Sequence, residues 1–255
     1  MVVVPTGQRP PAELVFGAAP EFWHPPSADA SGGGAPSLWL LDAVAQSEDA
    51  GRLAPRVLDP AEQRRAAAFG RFEDRRRYVV AHVAVRVLLG ARLGVTADAV
   101  QLARAPCPSC GGPHGKPGVR DADVQFSISR SGDVVLIGIA DVPVGVDIEH
   151  VPPSGVVAEL TSFLHPKERA ELDAAPDHTK CALFARTWTR KEAYLKGIGT
   201  GLLRDVAQDY VGSSPMPDTG PPGWMLGDVA VPEGHAGAFA LRVGPSCAER
   251  PAACQ

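Results

Sequence analysis

The sequence predicts an α+β protein, because it contains long helical patterns as well as strands that pair as a hairpin. Apolar residues recur at spacings of three, four and seven from Asp59 to Leu93, which predicts a helical region with Pro60 in its first turn. A second long helix is predicted from Thr179 to Lys196, closed by Gly197. Residues 124–129 alternate apolar with polar side chains, and an apolar run at 134–140 follows a Ser-Gly-Asp turn, which predicts a β-hairpin.

The remaining segments extend this plan. Residues 1–36 are rich in Pro and Gly, so we expect a flexible or loosely packed leader and ordered structure from Leu38 onward. Residues 101–123 are predicted to be loop, for their Gly, Pro and Cys content. A third strand is expected at 144–150, a short helix from Pro166, and two terminal strands near Trp224 and Ala238–Val243.

Composition excludes several classes of protein. The 255 residues carry 25 basic and 29 acidic side chains, a net charge of −4 that does not suit a nucleic-acid coat. No apolar run reaches the roughly 18–20 residues of a membrane span, and the N-terminus does not resemble a signal peptide. Five cysteines, an odd number, do not suggest a secreted disulfide framework. We therefore expect a cytoplasmic protein that binds neither nucleic acid nor membrane.

Charge is unevenly distributed along the chain. The segment 61–92 holds eight arginines against three carboxylates, whereas the excess negative charge lies toward the C-terminus. Lysine is scarce, with five residues against twenty arginines, yet Lys191 and Lys196 lie five residues apart. A compact ammonium rather than a guanidinium fork is therefore a candidate functional group there.

Two carboxylates stand out in Gly145-Val146-Asp147-Ile148-Glu149. On a strand, Asp147 and Glu149 project from one face while Val146 and Ile148 point to the other. A hard divalent cation such as Mg²⁺ takes such oxygen ligands and commonly adds substrate phosphate. The alternative is an exposed strand face with two solvated acids.

A second motif lies on the predicted helix, where Trp188, Glu192 and Lys196 are four residues apart and share one face. Glu192 and Lys196 could also be an ordinary surface ion pair. The glycines at 197, 199 and 201 resemble a dinucleotide fingerprint, but they follow a helix instead of a strand and predict a helix end with a tight turn.

Three further clusters carry polar groups suited to ligands. Cys107, Cys110 and His114 have the ligand types of half a zinc site, with thiols in a loop as the alternative. Lys116 with Pro117, and Ser129 with Arg130, each place a cation in or beside a turn and are candidate phosphate contacts.

Taken in order, H-G-K-P, S-x-S-x-S-G, G-V-D-I-E and W-T-R-K-E-A-Y-L-K with G-x-G-x-G-L resemble the Sfp-type 4′-phosphopantetheinyl transferases. The resemblance extends from about Leu38 to Val243. It implies two similar α+β halves about a pseudo-two-fold axis, with the active site in the cleft between them. The corresponding boundaries are 37–142 and 143–245, followed by a tail at 246–255.

The resemblance also implies an activity, the transfer of the 4′-phosphopantetheine arm of coenzyme A to a serine of an apo acyl or peptidyl carrier protein. It implies that Asp147, Glu149 and Glu192 bind magnesium, or manganese, which contacts the pyrophosphate of coenzyme A. Asp147 is also expected to contact coenzyme A. Lys196 would contact that pyrophosphate and steady the leaving group. Glu192 would take the proton from the attacking serine. The chain is expected to be monomeric.

The same comparison assigns the coenzyme A contacts. Lys116 and Pro117 resemble the segment along the adenine, and Ser129 and Arg130 the segment that meets the phosphates. Arg130 stands where many relatives have His, so the contact is expected to persist with a weaker pH dependence. The candidates for the 3′-phosphate are Arg65, Arg71 and Arg76.

Two rival functions remain at this level. A non-catalytic module for coenzyme A or carrier proteins would keep the fold without the chemistry, which the presence of all three carboxylates and Lys196 disfavours. A zinc-dependent interaction protein built on Cys107 and Cys110 would contain zinc and need no magnesium.

Overall fold

The structure is a computed structural model and describes residues 10–16, 35–107, 111–112, 115–214 and 220–244. Its helices, in chain order, are α1 (Ser47–Val57), α2 (Pro60–Ala67), α3 (Phe72–Leu93), α4 (Ser154–Leu160), α5 (Pro166–Ala174) and α6 (Asp177–Ile198). Its strands are β1 (Ala12–Glu13), β2 (Ser37–Asp42), β3 (Leu102–Arg104), β4 (Pro117–Val119), β5 (Gln125–Ser131), β6 (Val134–Ala140), β7 (Val144–His150), β8 (Trp224–Asp228) and β9 (His235–Arg242). Single 3-10 turns occupy Ala97–Ala99, Thr161–Phe163 and Gly201–Leu203. The predicted α+β class is confirmed.

The N-terminal part of the chain, from β1 to β6, contains a four-stranded sheet in the order β1-β2-β6-β5. The predicted hairpin is confirmed, since β5 and β6 pair antiparallel around Gly132-Asp133. One face of this sheet shares an apolar cluster with α1 and α3. β1 pairs parallel with β2, and Leu14 and Phe16 are buried in that cluster. The expectation of a loosely packed leader therefore does not hold for residues 10–16.

The predicted helical region from Asp59 to Leu93 is two helices, because the chain leaves the helical path between Ala67 and Phe72. The start is as predicted: Pro60 is the first residue of α2, and the Asp59 carboxylate accepts hydrogen bonds from the amides of Ala61 and Glu62. The Arg-rich segment 61–92 is thus divided between two helices. Helix α1 was not anticipated.

The C-terminal part contains a three-stranded antiparallel sheet in the order β7-β9-β8, with α6 packed on β7 and β9. Val146 and Ile148 of β7 are buried in the cluster on its other face, as their alternation predicted. The predicted strands at 144–150 and at the C-terminal end and the helices from Pro166 and near Thr179 are all confirmed. Each part thus has a 22-residue helix on a sheet.

Serine side chains connect the two sheets. β5 and β7 are edge strands of different sheets, and Ser127, Ser129 and Ser131 occupy alternate positions of β5. Ser127 Oγ accepts a hydrogen bond from Val146 N at 3.1 Å, and Ser131 Oγ accepts one from His150 N at 2.9 Å. The hydroxyls thus satisfy backbone amides that would otherwise lack a ladder partner.

The segment 101–123, predicted as loop, contains a two-stranded sheet in which Leu102 pairs with Val119 and Arg104 with Pro117. This small sheet brings Lys116 and Pro117 toward the end of α6. Within the described residues, no helix combines the length and the apolar character needed to cross a bilayer.

Candidate active site

Two glycines allow α6 to lie directly on β7. A Cβ atom at Gly145 would overlap the carbonyl oxygen of Ala193, and one at Gly197 would stand 2.6 Å from the Trp224 ring. The helix continues through Gly197, which was predicted to close it, and ends at Ile198, capped by Gly199, whose φ of +80° favours glycine. A glycine-capped end followed by a turn is therefore confirmed, two residues later than predicted. This close approach brings Lys196 to the carboxylate face of β7.

Lys196 and Asp147 form the centre of the site. Lys196 Nζ donates to Asp147 Oδ1 at 2.6 Å and to Ser129 Oγ at 2.9 Å, and Ser129 Oγ donates to the same carboxylate oxygen at 2.7 Å. Asp147 is only 2% exposed, whereas the Lys196 side chain is 31% exposed. Lys196 therefore is not merely the surface partner of Glu192, and it reaches a buried acid from a position open to solvent.

The two other predicted carboxylates lie within electrostatic range of Asp147. Burial raises the pKa of Glu149, and the charge of Asp147 raises it further against a hydrogen bond from Ser131. Burial also raises the pKa of Glu192, reinforced by the charges of Asp147 and Glu149 and opposed by Lys196. The three acids thus repel one another, which is the condition that a bound cation relieves.

The donor set fits a divalent cation in one further respect. Asp147 Oδ2 is buried and has no hydrogen-bond partner, although its sister oxygen has two. An unpartnered buried carboxylate oxygen is costly unless it meets a cation or a donor. In the part of the chain that the structure describes, no three His, Cys, Asp or Glu side chains form a preassembled metal cluster. The acids are neighbours but are not gathered into a coordination shell.

A cleft of about 890 Å³ opens beside Lys196. The N-terminal part contributes side chains from α2, α3, β3, β4 and β5 to its lining, and the C-terminal part contributes Lys196 and the turn from Gly199 to Leu203. Basic groups at the cleft include Arg104, Lys116 and Lys196. A cleft of this volume suits a bulky organic ligand.

Lys116 spans the cleft between the two parts. Its Nζ donates to the Gly197 carbonyl oxygen at 3.0 Å, which joins the loop before β4 to the end of α6. Burial lowers the pKa of Lys116 from its ordinary value to about 8. Pro117 lines the cleft beside it. The structure thus places both residues at the cleft, as the sequence predicts.

The predicted phosphate-binding residues are distributed differently. Ser127 lines the cleft, whereas the Ser129 hydroxyl is engaged with Asp147 and Lys196. Arg130 is exposed and points away from those serines toward α3, where its charge, like that of Arg65, acts on Tyr78. Burial and the charges of Glu62 and Asp59 raise the Tyr78 pKa, whereas the two arginines oppose that rise.

The three arginine candidates differ in their surroundings. Arg65 is exposed and lies over the Phe69 ring at 5.4 Å. Arg71 is exposed at the N-cap of α3. The Arg76 side chain is only 14% exposed and donates to Asp133 at 2.8 Å, so its charge is already paired. The charge of Arg65 acts on Tyr78, which lines the cleft.

The zinc hypothesis falls mainly outside the described residues. Cys110 and His114 are not among them, and Cys107 is buried at the cleft. Sequence reasoning also missed the contributions of Ser127 and Tyr78. The alternation of serines at 127, 129 and 131 was a signal for the first, since alternate strand residues share a face; nothing local marked Tyr78.

Comparisons with known proteins relate the sequence to a family. Residues 143–218, which include β7 and α6, match the family model of the 4′-phosphopantetheinyl transferase superfamily. The 4′-phosphopantetheinyl transferase HetI of Nostoc is 30% identical over 178 residues, covering 67% of this chain and 72% of HetI. A 4′-phosphopantetheinyl transferase of Bacillus subtilis is 31% identical over 153 residues, covering 58% and 68%.

A putative 4′-phosphopantetheinyl transferase of Synechocystis is 29% identical over 157 residues, which cover 60% of this chain and 61% of the relative. The chain therefore matches less than two thirds of that relative's length. The coverage of HetI and of the Bacillus protein is larger. The chain belongs to the 4′-phosphopantetheinyl transferase superfamily.

Proposed function

We propose that this protein transfers the 4′-phosphopantetheine arm of coenzyme A to a serine of apo carrier proteins, the reaction of a holo-[acyl-carrier-protein] synthase. The observation that carries the proposal is the meeting of Asp147, Glu192 and Lys196 where α6 crosses β7, beside a cleft of about 890 Å³. Family membership supports it, since the relatives named above are transferases of this kind.

Coenzyme A is the ligand that the cleft suits. It carries a base, a pyrophosphate and a 3′-phosphate, and the cleft offers an apolar wall beside the cations Lys116 and Lys196. Lys116 and Pro117 then lie along the adenine, and Lys196 meets the pyrophosphate near Asp147. Arg65 and Arg130 are the candidates for the 3′-phosphate because both act on Tyr78. Arg76 is set aside because Asp133 holds it.

A divalent cation, magnesium or manganese, belongs to the proposal. Asp147, Glu149 and Glu192 are the residues that would hold it, and the unpartnered Asp147 Oδ2 is the atom that most requires it. When bound, the cation supplies neutralisation of the charge on the pyrophosphate.

The chain's own residues account for the remaining steps. A bond forms between the carrier serine Oγ and the phosphorus next to the pantetheine arm, and the bond from that phosphorus to the bridging oxygen breaks. Glu192 accepts the serine proton. Lys196 donates to the departing adenosine 3′,5′-bisphosphate. Ser129 keeps Asp147 and Lys196 aligned.

In this proposal the protein has two halves, at 37–142 and 143–245, about a pseudo-two-fold axis. It is a monomer in the cytoplasm, and its clients are carrier proteins of polyketide, nonribosomal peptide or fatty acid synthases. Polyketide and peptide carriers would connect the enzyme to antibiotic biosynthesis.

Release of adenosine 3′,5′-bisphosphate tests the proposal. The protein is incubated with coenzyme A, magnesium and an apo carrier, and the nucleotide is quantified by chromatography. We expect release only when all three are present, and none with a carrier whose acceptor serine is Ala. Coenzyme A binding without release across several carriers would support the non-catalytic module instead.

A further inference from the structure

A buried ion pair joins α6 to α5, and it is separate from the contact that α6 makes with Asp147. Lys191 of α6 is 2% exposed, Glu168 of α5 is 0% exposed, and Lys191 Nζ lies 2.8 Å from Glu168 Oε2. Lys191 precedes Glu192 directly, but the proposed reaction gives it no role. A charge pair so completely withdrawn from water needs every polar atom satisfied, and its other partners show what it holds.

One partner lies at the start of α5, where the amide of His165 donates to Glu168 Oε2 at 3.1 Å. The others belong to the chain just after α6. Lys191 Nζ also donates to the carbonyl oxygens of Val206 at 2.9 Å and Asp209 at 2.6 Å. Glu168 Oε1 accepts from the amide of Val211 at 2.8 Å. An ammonium has three protons to donate, and all three are used here. The pair therefore fastens residues 206–211 to α5 and α6.

This stretch continues directly from the wall of the cleft. We call residues 199–211 the wall segment, because Gly199, Thr200, Gly201 and Leu203 line the cleft and the residues held by Lys191 follow them. Arg204 donates to Asp209 at 2.6 and 3.1 Å, so the two ends of the intervening loop are joined. A displacement at Val206 or Asp209 is therefore transmitted to the cleft lining within a few residues.

We propose that Lys191, through its pair with Glu168, is a positioning residue that fixes the wall segment and thereby sets the affinity for coenzyme A. This rests on the proposed function, and it assigns Lys191 to binding and not to the chemical step. Lys191 touches neither the cleft nor the reacting atoms, and its effect passes through backbone carbonyls. The consequence is a selective loss of coenzyme A affinity when the pair is removed.

The test uses the full chain with Lys191→Met and Glu168→Gln combined. Removing both charges leaves no buried ion without a partner. The amide oxygen introduced by Glu168→Gln keeps one of the two backbone hydrogen bonds that Glu168 accepts, from Val211 or from His165, so the double variant is expected to fold with reduced stability. We expect calorimetric Kd and KM for coenzyme A to rise at least fivefold, with kcat at saturating coenzyme A within twofold of the original protein. Hydrogen exchange across residues 200–211 should accelerate.

Leu172→Ala is the matched control for lost stability. Leu172 lies on α5, like Glu168, but packs against Val157, Leu164 and Phe184 in a separate apolar cluster. This variant should melt at a lower temperature and keep the original coenzyme A affinity and the original exchange across the wall segment.

Three results would overturn the proposal. They are a Kd within twofold of the original in the double variant, an equal loss of affinity in Leu172→Ala, or unchanged exchange across 200–211. If the original protein binds no coenzyme A at all, the proposed function itself fails. Exchange alone then decides whether the pair fixes the wall segment.

Discussion

Lys196 Nζ lies 2.6 Å from Asp147 Oδ1, and this contact joins α6 to β7. The two residues are 49 positions apart in sequence, and they meet because Gly145 and Gly197 let α6 rest on β7. One Asp147 oxygen is thereby fixed by Lys196 and Ser129, while the other is buried without a partner. The arrangement leaves one defined place for a cation and one ammonium beside it.

Replacing Lys196 with Met tests that ammonium. We expect kcat/KM for coenzyme A to fall about 100-fold or more, the effect of removing one donor to developing charge. Lys196→Arg should restore little, because a planar guanidinium does not reproduce a compact point charge between Asp147 and Ser129. Lys180→Met is the matched control, since Lys180 lies on the same helix, is accessible to a similar degree as Lys196, and pairs with the exposed Asp177. Equal loss in both variants would contradict the assignment.

Magnesium should stabilise the protein through the three acids. In thermal unfolding without coenzyme A, we expect magnesium to raise the Tm of the original protein and to have no effect on Glu192→Gln. Without magnesium, Glu192→Gln should melt at a higher temperature than the original protein. The raised pKa of Glu192 means that its charge is disfavoured in the fold near neutral pH, and Gln removes that charge. An undiminished magnesium shift in Glu192→Gln would remove Glu192 from the ligand set.

Gly145→Ala should displace α6. Its Cβ would overlap the Ala193 carbonyl oxygen, and neither backbone can yield without separating Lys196 from Asp147. We expect the free energy of unfolding to fall by about 1–3 kcal/mol, as for other overpacked sites, with activity largely lost. Gly155→Ala is the control, since nothing lies within 4 Å of its added Cβ. Activity retained in Gly145→Ala would show that the close approach is not required.

Coenzyme A binding should be linked to a proton on Lys116. Its pKa is about 8 in the fold against an ordinary 10.5, so the unfolded chain binds this proton more tightly between those values. The contribution of Lys116 to stability therefore rises with pH from 8 to 10.5 and is constant below 8. A nearby phosphate favours the charged form.

Calorimetry at about pH 8.5 in buffers of different ionisation enthalpy measures that linkage. We expect net proton uptake on coenzyme A binding and weaker binding above the Lys116 pKa of about 8. Lys116→Met should abolish the uptake attributable to this residue. If the variant takes up as many protons as the original protein, another group is responsible.

Discrimination against 3′-dephospho-coenzyme A tests the arginine assignment. The original protein should bind coenzyme A more tightly than the dephospho form, and Arg65→Ala should reduce that ratio about tenfold, the scale of one charge-assisted hydrogen bond. Arg71→Ala, on a neighbouring exposed guanidinium, should change the ratio less. The reverse order would assign the 3′-phosphate to Arg71.

The sequence predicts best what depends on local pattern. The alternation in β7 put Asp147 and Glu149 on one strand face, and the four-residue spacing in α6 put Glu192 and Lys196 on one helix face, because strand and helix geometry fix which side chains share a face. Only the family resemblance implied that the two faces form one site. Long-range pairing could not be read in this way. The Arg76–Asp133 ion pair joins residues 57 positions apart, and β1 pairs with β2 across the Pro- and Gly-rich leader.

Two other features could not be predicted from the sequence, each for a physical reason. The break between α2 and α3 contains only Gly70 as a breaker, and a lone Gly is tolerated in many helices, so apolar spacing continued across it. The inward direction of Lys191 depends on Glu168 and on carbonyls of a later loop, which no spacing within α6 reveals.

Intact-mass spectrometry of an apo carrier protein tests the central claim most directly. The carrier is incubated with coenzyme A, magnesium and either the original protein or Glu192→Gln, and its mass is recorded over time. The account predicts a gain of one phosphopantetheine per carrier with the original protein and little or none with the variant. An unmodified carrier mass across acyl and peptidyl carriers, with the protein folded and coenzyme A bound, would contradict it.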